Sequence, residues 1–505
     1  MTSRITSYAH ENGGRVVLLF LLFLLAIYQF YTAGFNSFVI VCLLPALIIA
    51  TYVLFNHRML AFWGLFIINY FVQFLGKQGF LPDGIPTSLY NEALQILLLT
   101  IAIIDSRETP HFERTTNLML LSLIIWTSYC TLQILNNTCD LGIDIGTWYT
   151  GARMMAFQLL YIFLIFSIYI STPNILIKYL KIWAILSLFS VYWTWQQQHL
   201  GFTTAENIWL ETVGKRTHFV NGIIRYFSTF SDSANYGCNS AAAAVAFMIT
   251  GITTPIKKDK IFFIVTALAV IWGMFASGTR TAIVCFIAGF MAYMVLSRSV
   301  KIIVPTSIVF GFFLFILIFT NIGQGNPQIR RMRSAFNKDD ASMNVREVNQ
   351  ETMRKYLRDA PWGIGMGNKL VPANNKYKLM STIAPDSEYV YIWIHTGRIG
   401  LTVFIITMLI MLGGACWIVM FRLKNKSLIG IGAGLCSAFV AIQLGGYANQ
   451  VLMQFPNCLI FYGGLTIVYI LPYLEPTWIE MEERRFAEQE ERKRLKLEKK
   501  LASRV

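Results

Sequence analysis

Charged residues are scarce in this chain of 505 residues. Asp, Glu, Lys and Arg make up only 14% of it, against about 25% in soluble domains, while 55% of the residues are hydrophobic and the mean hydropathy is +0.53. This shortage of charge excludes an ordinary soluble globular protein.

Cysteine pairs and cofactor motifs are also missing. Seven of the eight cysteines lie in or at apolar runs, Cys139 stands in a polar loop, and no CxxC pair is present. Neither a disulfide framework nor a cysteine-ligated metal site is therefore expected. The glycine-rich run 363–368 is followed by neither Gly-Lys-Ser/Thr nor a second strand, so it does not fit a phosphate-binding loop. Because DxD and His clusters are absent too, we predict no metal and no nucleotide cofactor.

Long apolar runs fill most of the chain. Fourteen of them are long enough, at ~1.5 Å per residue, to cross a ~30 Å hydrocarbon core. We predict an all-α polytopic membrane protein with about 14 transmembrane helices (12–14). The predicted spans are 16–32, 37–55, 59–76, 89–104, 117–135, 153–171, 175–199, 234–252, 260–276, 279–297, 301–320, 387–420, 427–448 and 456–474.

The organisation follows from these spans. Residues 1–474 form the transmembrane bundle, which includes two long loops, 200–233 and 321–386, and residues 475–505 form a charged cytoplasmic helical tail. The first run lacks a signal-peptidase site and is interpreted as an uncleaved span. The long run 387–420 is expected to break near Gly397.

The net charge of +15 arises from 42 Lys and Arg against 27 Asp and Glu. Short basic connections recur on one side of the predicted bundle, which the positive-inside rule makes cytoplasmic, together with both termini. The long loops lie on the opposite, outer face. Loop 321–386 has eleven basic residues against seven acidic ones when Glu388 is included. The excess of basic residues thus gathers on the outer face, and no nucleic-acid partner is expected.

Loop 321–386 also contains an amphipathic pattern. A helix is predicted at 344–359, ended by Pro361, with four apolar residues on one face: Val345, Val348, Tyr356 and Leu357. Because loops of this length are usually functional, we expect this one to contribute to a site.

Two arginines lie at the outer mouths of predicted spans. Arg280 follows a Ser-Gly-Thr turn, and Arg225 opens a polar stretch that runs into a small-residue helix. Ionisable groups at membrane depth are costly and are functional candidates by default. The structural alternatives are an interfacial arginine at 280 and a helix cap in which Arg225 pairs with Asp232. Guanidinium groups and helix N-termini both suit phosphate oxygens, which favours an anion site.

Two carboxylates, Asp386 and Glu388, lie at the outer mouth of the run 387–420. Either can serve as a general base or orient a hydroxyl group. The alternative is that Asp386 or Ser387 caps the helix. His395 lies near the expected break, either as a supporting residue or as a hydrogen-bonded packing residue.

In this order, the segments between residues 225 and 400 resemble the bacterial O-antigen ligase and O-antigen polymerase superfamily. Its members are membrane glycosyltransferases that use a glycan carried on undecaprenyl pyrophosphate. The matching positions are Arg225, Ser228, Phe230, Asn235 and Gly237, then the turn 277–280, then Arg346, Pro361, Gly363 and Gly365, and last Tyr389, Gly397 and Gly400. Asp386 and Ser387 stand where the superfamily has His-Asn, and His395 stands where glutamate is common.

The resemblance implies roles for individual residues. Arg225 and Arg280 would hold the pyrophosphate of the donor, with Arg346 as a third arginine, and Arg280 would also act in catalysis. Asp386, or else Glu388, would activate or orient the acceptor hydroxyl. The supporting residues would be Asn235, Tyr389 and His395.

The resemblance also implies the type of reaction and the cellular location of the enzyme. The expected enzyme is a metal-independent glycosyltransferase without a cofactor, in the bacterial inner membrane, with its active site on the periplasmic side. We predict that the enzyme is an O-antigen ligase, which uses lipid A core as its acceptor in lipopolysaccharide biosynthesis. A polymerase that extends a lipid-linked glycan is the alternative, and a protein acceptor also fits.

A flippase or transporter of lipid-linked sugars is a more distant alternative. Transporters often contain internal repeats, whereas this sequence shows none and places its longest loop on one side of the bundle. That asymmetry favours an enzyme of the outer face.

Overall fold

The structure is a computed structural model that describes residues 13–33, 35–81, 87–104, 111–140, 142–220, 222–297, 300–333, 341–366, 371, 374–382 and 385–502. Nearly all of these residues are helical. The helices up to the first long loop are α1 (Gly13–Ala33), α2 (Phe35–Asn56), α3 (Arg58–Lys77), α4 (Thr87–Ile104), α5 (Leu118–Leu132), α6 (Ile145–Ala152), α7 (Gln158–Tyr169) and α8 (Pro173–His199). A π-helical turn, Arg153–Phe157, joins α6 to α7, and 3₁₀ turns occupy Phe112–Thr115 and Gln133–Leu135.

The first long loop contains α9 (Thr204–Trp209), a π-helical turn (Leu210–Gly214), α10 (Lys215–His218), β1 (Phe219–Val220) and β2 (Ile223–Ile224). The remaining helices are α11 (Ser233–Thr253), α12 (Lys257–Ala276), α13 (Arg280–Ser297), α14 (Val300–Phe319), α15 (Pro327–Arg333), α16 (Ala341–Leu357), α17 (Lys378–Thr382), α18 (Glu388–Trp417), α19 (Lys426–Ala448) and α20 (Asn457–Ala502). A π-helical turn, Ile418–Arg422, extends α18.

Every predicted span coincides with a helix. Ten helices of the described residues are long and apolar enough to cross a membrane, and two shorter apolar helices, Phe20–Thr32 and Ser88–Ile104, lie at two further predicted spans. The two remaining predicted spans, 37–55 and 301–320, fall on α2 and α14. The all-α polytopic membrane fold is therefore confirmed.

The chain divides into two compact units, residues 1–64 and residues 65–505. In the first unit, α1 packs against α2. In the second, α11 packs against α12, α13 and α19, and α20 packs against α7 and α19.

The helices at the centre of the second unit are α11, α19 and α20. Within an 18-residue apolar stretch of each of these helices, 83%, 78% and 89% of the stretch is buried, against 39% in α5 and α12. Residues 241–244 of α11 are all alanines that are fully buried, and such small side chains let helix backbones approach closely within a membrane. The peripheral helices keep an apolar surface that a bilayer would cover.

The first long loop, 200–233, is tied to the end of α8. Thr203 and Glu206 form a capping box at the start of α9. The buried carboxylate of Glu206 also accepts hydrogen bonds from Trp193 Nε1 at 2.9 Å and from Gln197 Nε2 at 2.8 Å. Strands β1 and β2 then pair antiparallel and return the chain toward α11.

The second long loop packs into an apolar cluster at the end of the bundle where α5 ends and α18 begins. The buried members of this cluster are Cys139, Met353, Leu357, Ala360, Ile364, Val371, Tyr377, Met380 and Ile394. Cys139, which the sequence places in a polar loop, is thus buried.

Helix α16 confirms the amphipathic helix predicted in this loop, but only part of the predicted apolar face is buried: Leu357 and Tyr356 pack in the apolar cluster, and Val348 does not. Met353 and Leu357 are 1% and 3% exposed, whereas Val348 is 62% exposed. Only the last turns of α16 reach the apolar cluster, so Val348, more than one turn closer to the N-terminus, stays outside it.

Helix α18 is broken at Gly397, as predicted. The φ and ψ of Gly397 are +70° and −174°, far from helical values. Residues 361–365 of the second long loop pair with the broken turn. The bonds run from the N–H groups of Ile364, Gly365 and Ile399 to the carbonyls of Ile394, His395 and Pro361, at 2.9, 3.1 and 3.3 Å. This pairing satisfies backbone groups that the break would otherwise leave without partners.

The last helix, α20, runs from the final span into the predicted tail 475–505. Near the start of the tail, the carboxylate of Glu475 accepts the backbone N–H groups of Lys424 and Asn425 at 2.7 and 2.6 Å. Arg485 lies 3.7 Å from Asp259. The first turns of the tail are thus packed on the neighbouring connections.

The break in α18 yields a stability prediction. A Cβ atom at Gly397 would overlap the carbonyl oxygen of Pro361, and its positive φ disfavours any other residue. We expect Gly397→Ala to lower the free energy of unfolding by ~2 kcal/mol or more, measured as thermal or denaturant unfolding of the purified protein. Gly413→Ala in the same helix is the matched control, because nothing lies within 4 Å of an added Cβ there. Equal stability of the two variants would contradict this account.

Candidate active site

Asp232 ends the first long loop and caps α11. Its Oδ1 accepts the backbone N–H groups of Ala234 and Asn235 at 2.8 and 2.9 Å, and its Oδ2 accepts Ser231 Oγ and Asn235 Nδ2 at 3.0 and 2.9 Å. Burial acts to raise the pKa of Asp232, but the hydrogen bonds from Asn235 and Ser231 and the charge of Lys77 outweigh it. The pKa therefore lies below its usual range, and Asp232 is a charged N-cap.

Arg225 reaches from the first long loop to the turn that precedes α13. Its Nη2 donates to Thr279 Oγ1 at 3.0 Å, and its Nη1 donates to the carbonyl of Thr217 at 2.9 Å. Thr279 Oγ1 donates in turn to the carbonyl of Ser233, the first residue of α11, at 2.7 Å. One hydroxyl group thus joins two motifs that lie 54 residues apart in the chain. The Nε of Arg225 is buried and donates to no described group.

The turn 277–279 approaches α11 closely because residue 237 is a glycine. A Cβ atom at Gly237 would overlap Ser277 Oγ and lie 2.9 Å from Thr279 Cβ. Gly278 adopts a φ of +58°, a left-handed conformation that suits glycine. Together these two glycines bring Arg280, the first residue of α13, to the N-terminus of α11.

Arg331, from α15 in the second long loop, joins Arg225 and Arg280 in a group that we call the arginine cluster. The Nε of Arg331 donates to the carbonyl of Gly278 at 3.2 Å. The Cδ of Arg331 and the Cγ of Arg225 each lie 3.7 Å from a Cβ position built on Gly278. The cluster therefore combines side chains from both long loops and from the start of α13.

The pKa shifts of the cluster show how close its charges are. The pKa of Arg225 is lowered to about 10, mainly by desolvation and next by the positive charge of Arg331. The charge of Asp232 acts to raise this pKa, and the charge of Arg280 acts to lower it further. The pKa of Arg331 is lowered by desolvation and by Arg280. A guanidinium with a pKa of about 10 is still charged at neutral pH. The cluster thus concentrates positive charge in a partly dehydrated place, where an anion would be bound strongly.

Arg330 and Arg333, which flank Arg331 in α15, have different surroundings. Arg330 is exposed. Arg333 donates to the carbonyls of Ile316 and Thr320 at 3.3 and 2.6 Å, where it caps the C-terminus of α14. Arg346, the predicted third arginine, lies in α16, but its side chain is outside the described residues.

His218 supports the cap of α11 as a neutral acceptor. Its Nε2 accepts the N–H of Ser233 at 3.3 Å, and its Nδ1 lies 3.0 Å from the carbonyl of Gly214. This pair of contacts needs a neutral ring with its proton on Nδ1. Burial lowers the pKa of His218 to about 4, and the charges of Lys77 and Arg225 contribute to that shift.

Lys77, at the end of α3, fixes the loop beside this cap. Its Nζ lies 3.8 Å from the ring centroids of both Trp209 and Phe227 and donates to the carbonyl of Phe230 at 2.8 Å. A cation held between two aromatic faces is favourable where water is excluded. Lys77 is therefore a structural cation.

An amide-rich segment, 449–457, connects the arginine cluster to α11. Asn449 Nδ2 donates to Thr281 Oγ1, next to Arg280, at 3.0 Å. Gln454 Oε1 accepts Asn235 Nδ2 at 2.7 Å, and Asn457 Nδ2 donates to Asn235 Oδ1 at 2.8 Å. Asn235, a predicted supporting residue, is thus the centre of a buried amide network.

The same segment holds the head of α18, where the two predicted carboxylates differ sharply. Glu388 is buried, and its Oε2 accepts the N–H of Leu452 at 3.1 Å. Ser387 occupies the N-cap position of α18, but its Oγ donates to the carbonyl of Gly446 at 3.1 Å instead of capping. Asp386 is exposed. Of the two carboxylates, only Asp386 is exposed.

Tyr389 and His395 point to partners within the bundle. Tyr389 Oη donates to Gln443 Oε1 at 2.8 Å. His395 is buried, packs against Tyr391 with 4.3 Å between ring centroids and 48° between ring planes, and has its Nδ1 2.8 Å from the carbonyl of Tyr391. Both residues position the helix segment that follows Asp386 and Glu388.

Arg331, His218 and the amides of segment 449–457 were not predicted from the sequence. Arg331 is one of three arginines within four positions, and nothing in the sequence separates it from its neighbours. The segment 449–457 did carry a signal, because four amide side chains lie close together between two apolar runs. Among the described residues, no group of three or more His, Cys, Asp or Glu side chains can hold a metal ion.

Comparison with known proteins supports the resemblance. Residues 264–405 match the sequence model of a family described as O-Antigen ligase. This segment includes Arg280, Arg331, Asp386, Glu388 and the break at Gly397, whereas Arg225 and Asn235 precede it. The match supports the O-antigen ligase and polymerase superfamily. No curated protein matches the chain.

The neutral state of His218 yields a prediction on pH. Because its pKa is about 4 in the folded chain and about 6.5 when unfolded, the unfolded chain binds more protons between these values. Stability is thus present above pH 6.5 and is lost as the pH falls toward 4, by about 3 kcal/mol in total. We expect His218→Gln, which cannot titrate, to flatten the pH dependence of thermal unfolding in this window. Identical pH profiles for the variant and the wild type would refute this assignment.

Proposed function

We propose that this multi-pass membrane protein is a glycosyltransferase that moves a glycan from undecaprenyl pyrophosphate to an acceptor hydroxyl, as an O-antigen ligase. The observation that carries the proposal is the arginine cluster. Arg225, Arg280 and Arg331 concentrate positive charge at the end of the bundle where α11 and α13 begin. That is the level at which a lipid-linked pyrophosphate would present its phosphates.

The donor fits the chemistry of this cluster. Guanidinium groups bind phosphate oxygens with paired hydrogen bonds, and the Nε of Arg225, which donates to no described group, is one donor for such a bond. Binding the pyrophosphate between Arg225, Arg280 and Arg331 would also relieve the repulsion among the three side chains. The apolar surface of the spans would accommodate the polyprenyl chain.

The reaction exchanges one bond for another at the anomeric carbon of the glycan. The acceptor oxygen forms a bond to this carbon, while the bond to the phosphate oxygen breaks and undecaprenyl pyrophosphate leaves with the electron pair. Arg280 and its neighbours stabilise the charge that develops on the leaving group, so no metal ion is required. The proton of the acceptor hydroxyl passes to a carboxylate.

Asp386 is the better candidate for that carboxylate. It is exposed just before α18, whereas Glu388 is buried and binds the backbone of Leu452. A general base must be within reach of the hydroxyl that it deprotonates. In this proposal Glu388, Tyr389 and His395 position the helix that presents Asp386.

The cellular setting is part of the proposal. The basic short connections favour a cytoplasmic position for both termini, and the arginine cluster would then face the periplasm across a bacterial inner membrane. Lipid A core is the proposed acceptor in lipopolysaccharide biosynthesis.

The alternative function is a polymerase, since the same donor site serves a growing lipid-linked glycan as acceptor. Gene deletion followed by electrophoresis of surface polysaccharide separates the two functions. Unattached long chains indicate a ligase, and acceptors that carry a single repeat unit indicate a polymerase.

Loss of single arginines tests the donor site. We expect Arg280→Ala and Arg331→Ala to reduce transfer by about 100-fold or more, because each removes a positive charge that would stabilise the leaving pyrophosphate. Arg330→Ala is the matched control, since Arg330 is exposed on the same helix as Arg331 and should leave transfer near the wild-type rate. Transfer would be followed as release of undecaprenyl pyrophosphate by protein in liposomes that contain acceptor. A normal rate of transfer by the Arg280→Ala variant would contradict the proposal.

The two carboxylates are separated by conservative variants. Asp386→Asn should lower kcat by about 100-fold with little change in donor binding, because only proton transfer is lost. Glu388→Gln should retain most activity, since its amide oxygen still accepts the N–H of Leu452. The opposite pattern would make Glu388 the base, and equal loss of kcat and donor binding in Asp386→Asn would make Asp386 a structural residue.

A further inference from the structure

Two cavities lie at the outer end of α5, and both are lined by Gln133 and Asn136. Their volumes are about 160 Å³ and about 350 Å³, which together fall in the ~300–1,000 Å³ range of small-ligand sites. Neither cavity is lined by a member of the arginine cluster. They require an explanation of their own.

Among the described residues, the lining of the two cavities combines polar, aromatic and aliphatic side chains and contains no Lys or Arg. Amide, hydroxyl and carboxylate groups come from Gln133, Asn136, Asn137, Thr138, Asp144 and Thr147. A site without basic side chains does not suit a phosphate. Amides, hydroxyls and a carboxylate do suit the hydroxyl groups of a neutral sugar, which both donate and accept hydrogen bonds.

Trp362 supplies an aromatic surface at the larger cavity. It is 51% exposed and stacks on Tyr129, with 6.0 Å between ring centroids and 18° between ring planes. Tyr129 stacks in turn on the buried Trp126 at 6.0 Å. An indole supported on one side and exposed to a cavity offers a π face to the C–H groups of a sugar ring.

The position of this aromatic surface is fixed from two sides. Asn136 Nδ2 donates to the carbonyls of Trp362 and Gly363 at 2.9 and 3.3 Å. Tyr129 Oη donates to the carbonyl of Thr396, beside the break in α18, at 2.8 Å. Trp362 is thus tied to the helix whose head carries the exposed Asp386.

We propose that these two cavities form a binding site for a neutral sugar residue of a glycan, with Trp362 as its stacking surface. The identification of the ligand as a glycan rests on the proposed function. The sugar belongs either to the donor glycan or to the acceptor, since both present the same chemistry.

Binding is tested without transfer. The full chain in lipid nanodiscs would be titrated with a neutral, phosphate-free oligosaccharide released from the surface polysaccharide of the native host, and followed by saturation-transfer NMR. We expect Trp362→Ala to weaken binding about tenfold and Trp362→Phe, which keeps a ring, to restore most of it. Trp195→Ala is the matched control, because Trp195 is a 43% exposed tryptophan near the outer end of α8 and lines neither cavity.

Steady-state transfer by the same variants identifies the source of the sugar. A roughly tenfold rise in KM for the acceptor at nearly constant kcat assigns the site to the acceptor, and the same rise in KM for the donor assigns it to the donor glycan. Equal binding by wild type and Trp362→Ala, or no saturation transfer to the oligosaccharide, overturns the proposal. In that case Arg280→Ala would still be expected to lose transfer. Failure of this site and failure of the proposed function are therefore distinguishable.

Discussion

The hydrogen bonds of Thr279 Oγ1 are the interaction on which the rest of the site depends. This hydroxyl accepts from Arg225 and donates to the first carbonyl of α11, so it fixes a guanidinium at a helix N-terminus. The approach is possible only because Gly237 leaves room for the turn. Bringing Arg280 and Arg331 to the same place costs free energy through repulsion and desolvation. The bonds that hold Arg225 go to neutral oxygens, which leaves its positive charge available to an anion.

Rigid connections link this charge to the candidate base. Segment 449–457 binds Thr281 beside Arg280 at one end and Glu388 at the head of α18 at the other. The second long loop supplies Arg331 and also pairs with the break at Gly397. Catalysis by positioning needs groups that are held in place before the substrate arrives. Buried amides, glycines and backbone pairing provide this order at one end of a bundle whose helices are otherwise apolar.

The sequence predicts much of this fold but less of the site. Hydropathy locates every span, and glycine in a long apolar run predicts the break in α18, because both features depend on local composition. Arg331 cannot be told from Arg330 or Arg333 by sequence, since only the packing of α15 decides which one reaches Gly278. Asp386 and Glu388 likewise look equivalent until tertiary structure buries one of them. The apolar pattern of α16 predicts a helix, but the position of the apolar cluster around Met353 and Leu357 determines that Val348 stays exposed.

The most direct test of the central claim is cryo-electron microscopy of the full chain in nanodiscs with undecaprenyl pyrophosphate. The account predicts phosphate oxygens within hydrogen-bonding distance of the guanidinium groups of Arg225, Arg280 and Arg331, with the polyprenyl chain along the spans. A bound lipid whose phosphates lie elsewhere, with the arginine cluster unoccupied, would contradict it.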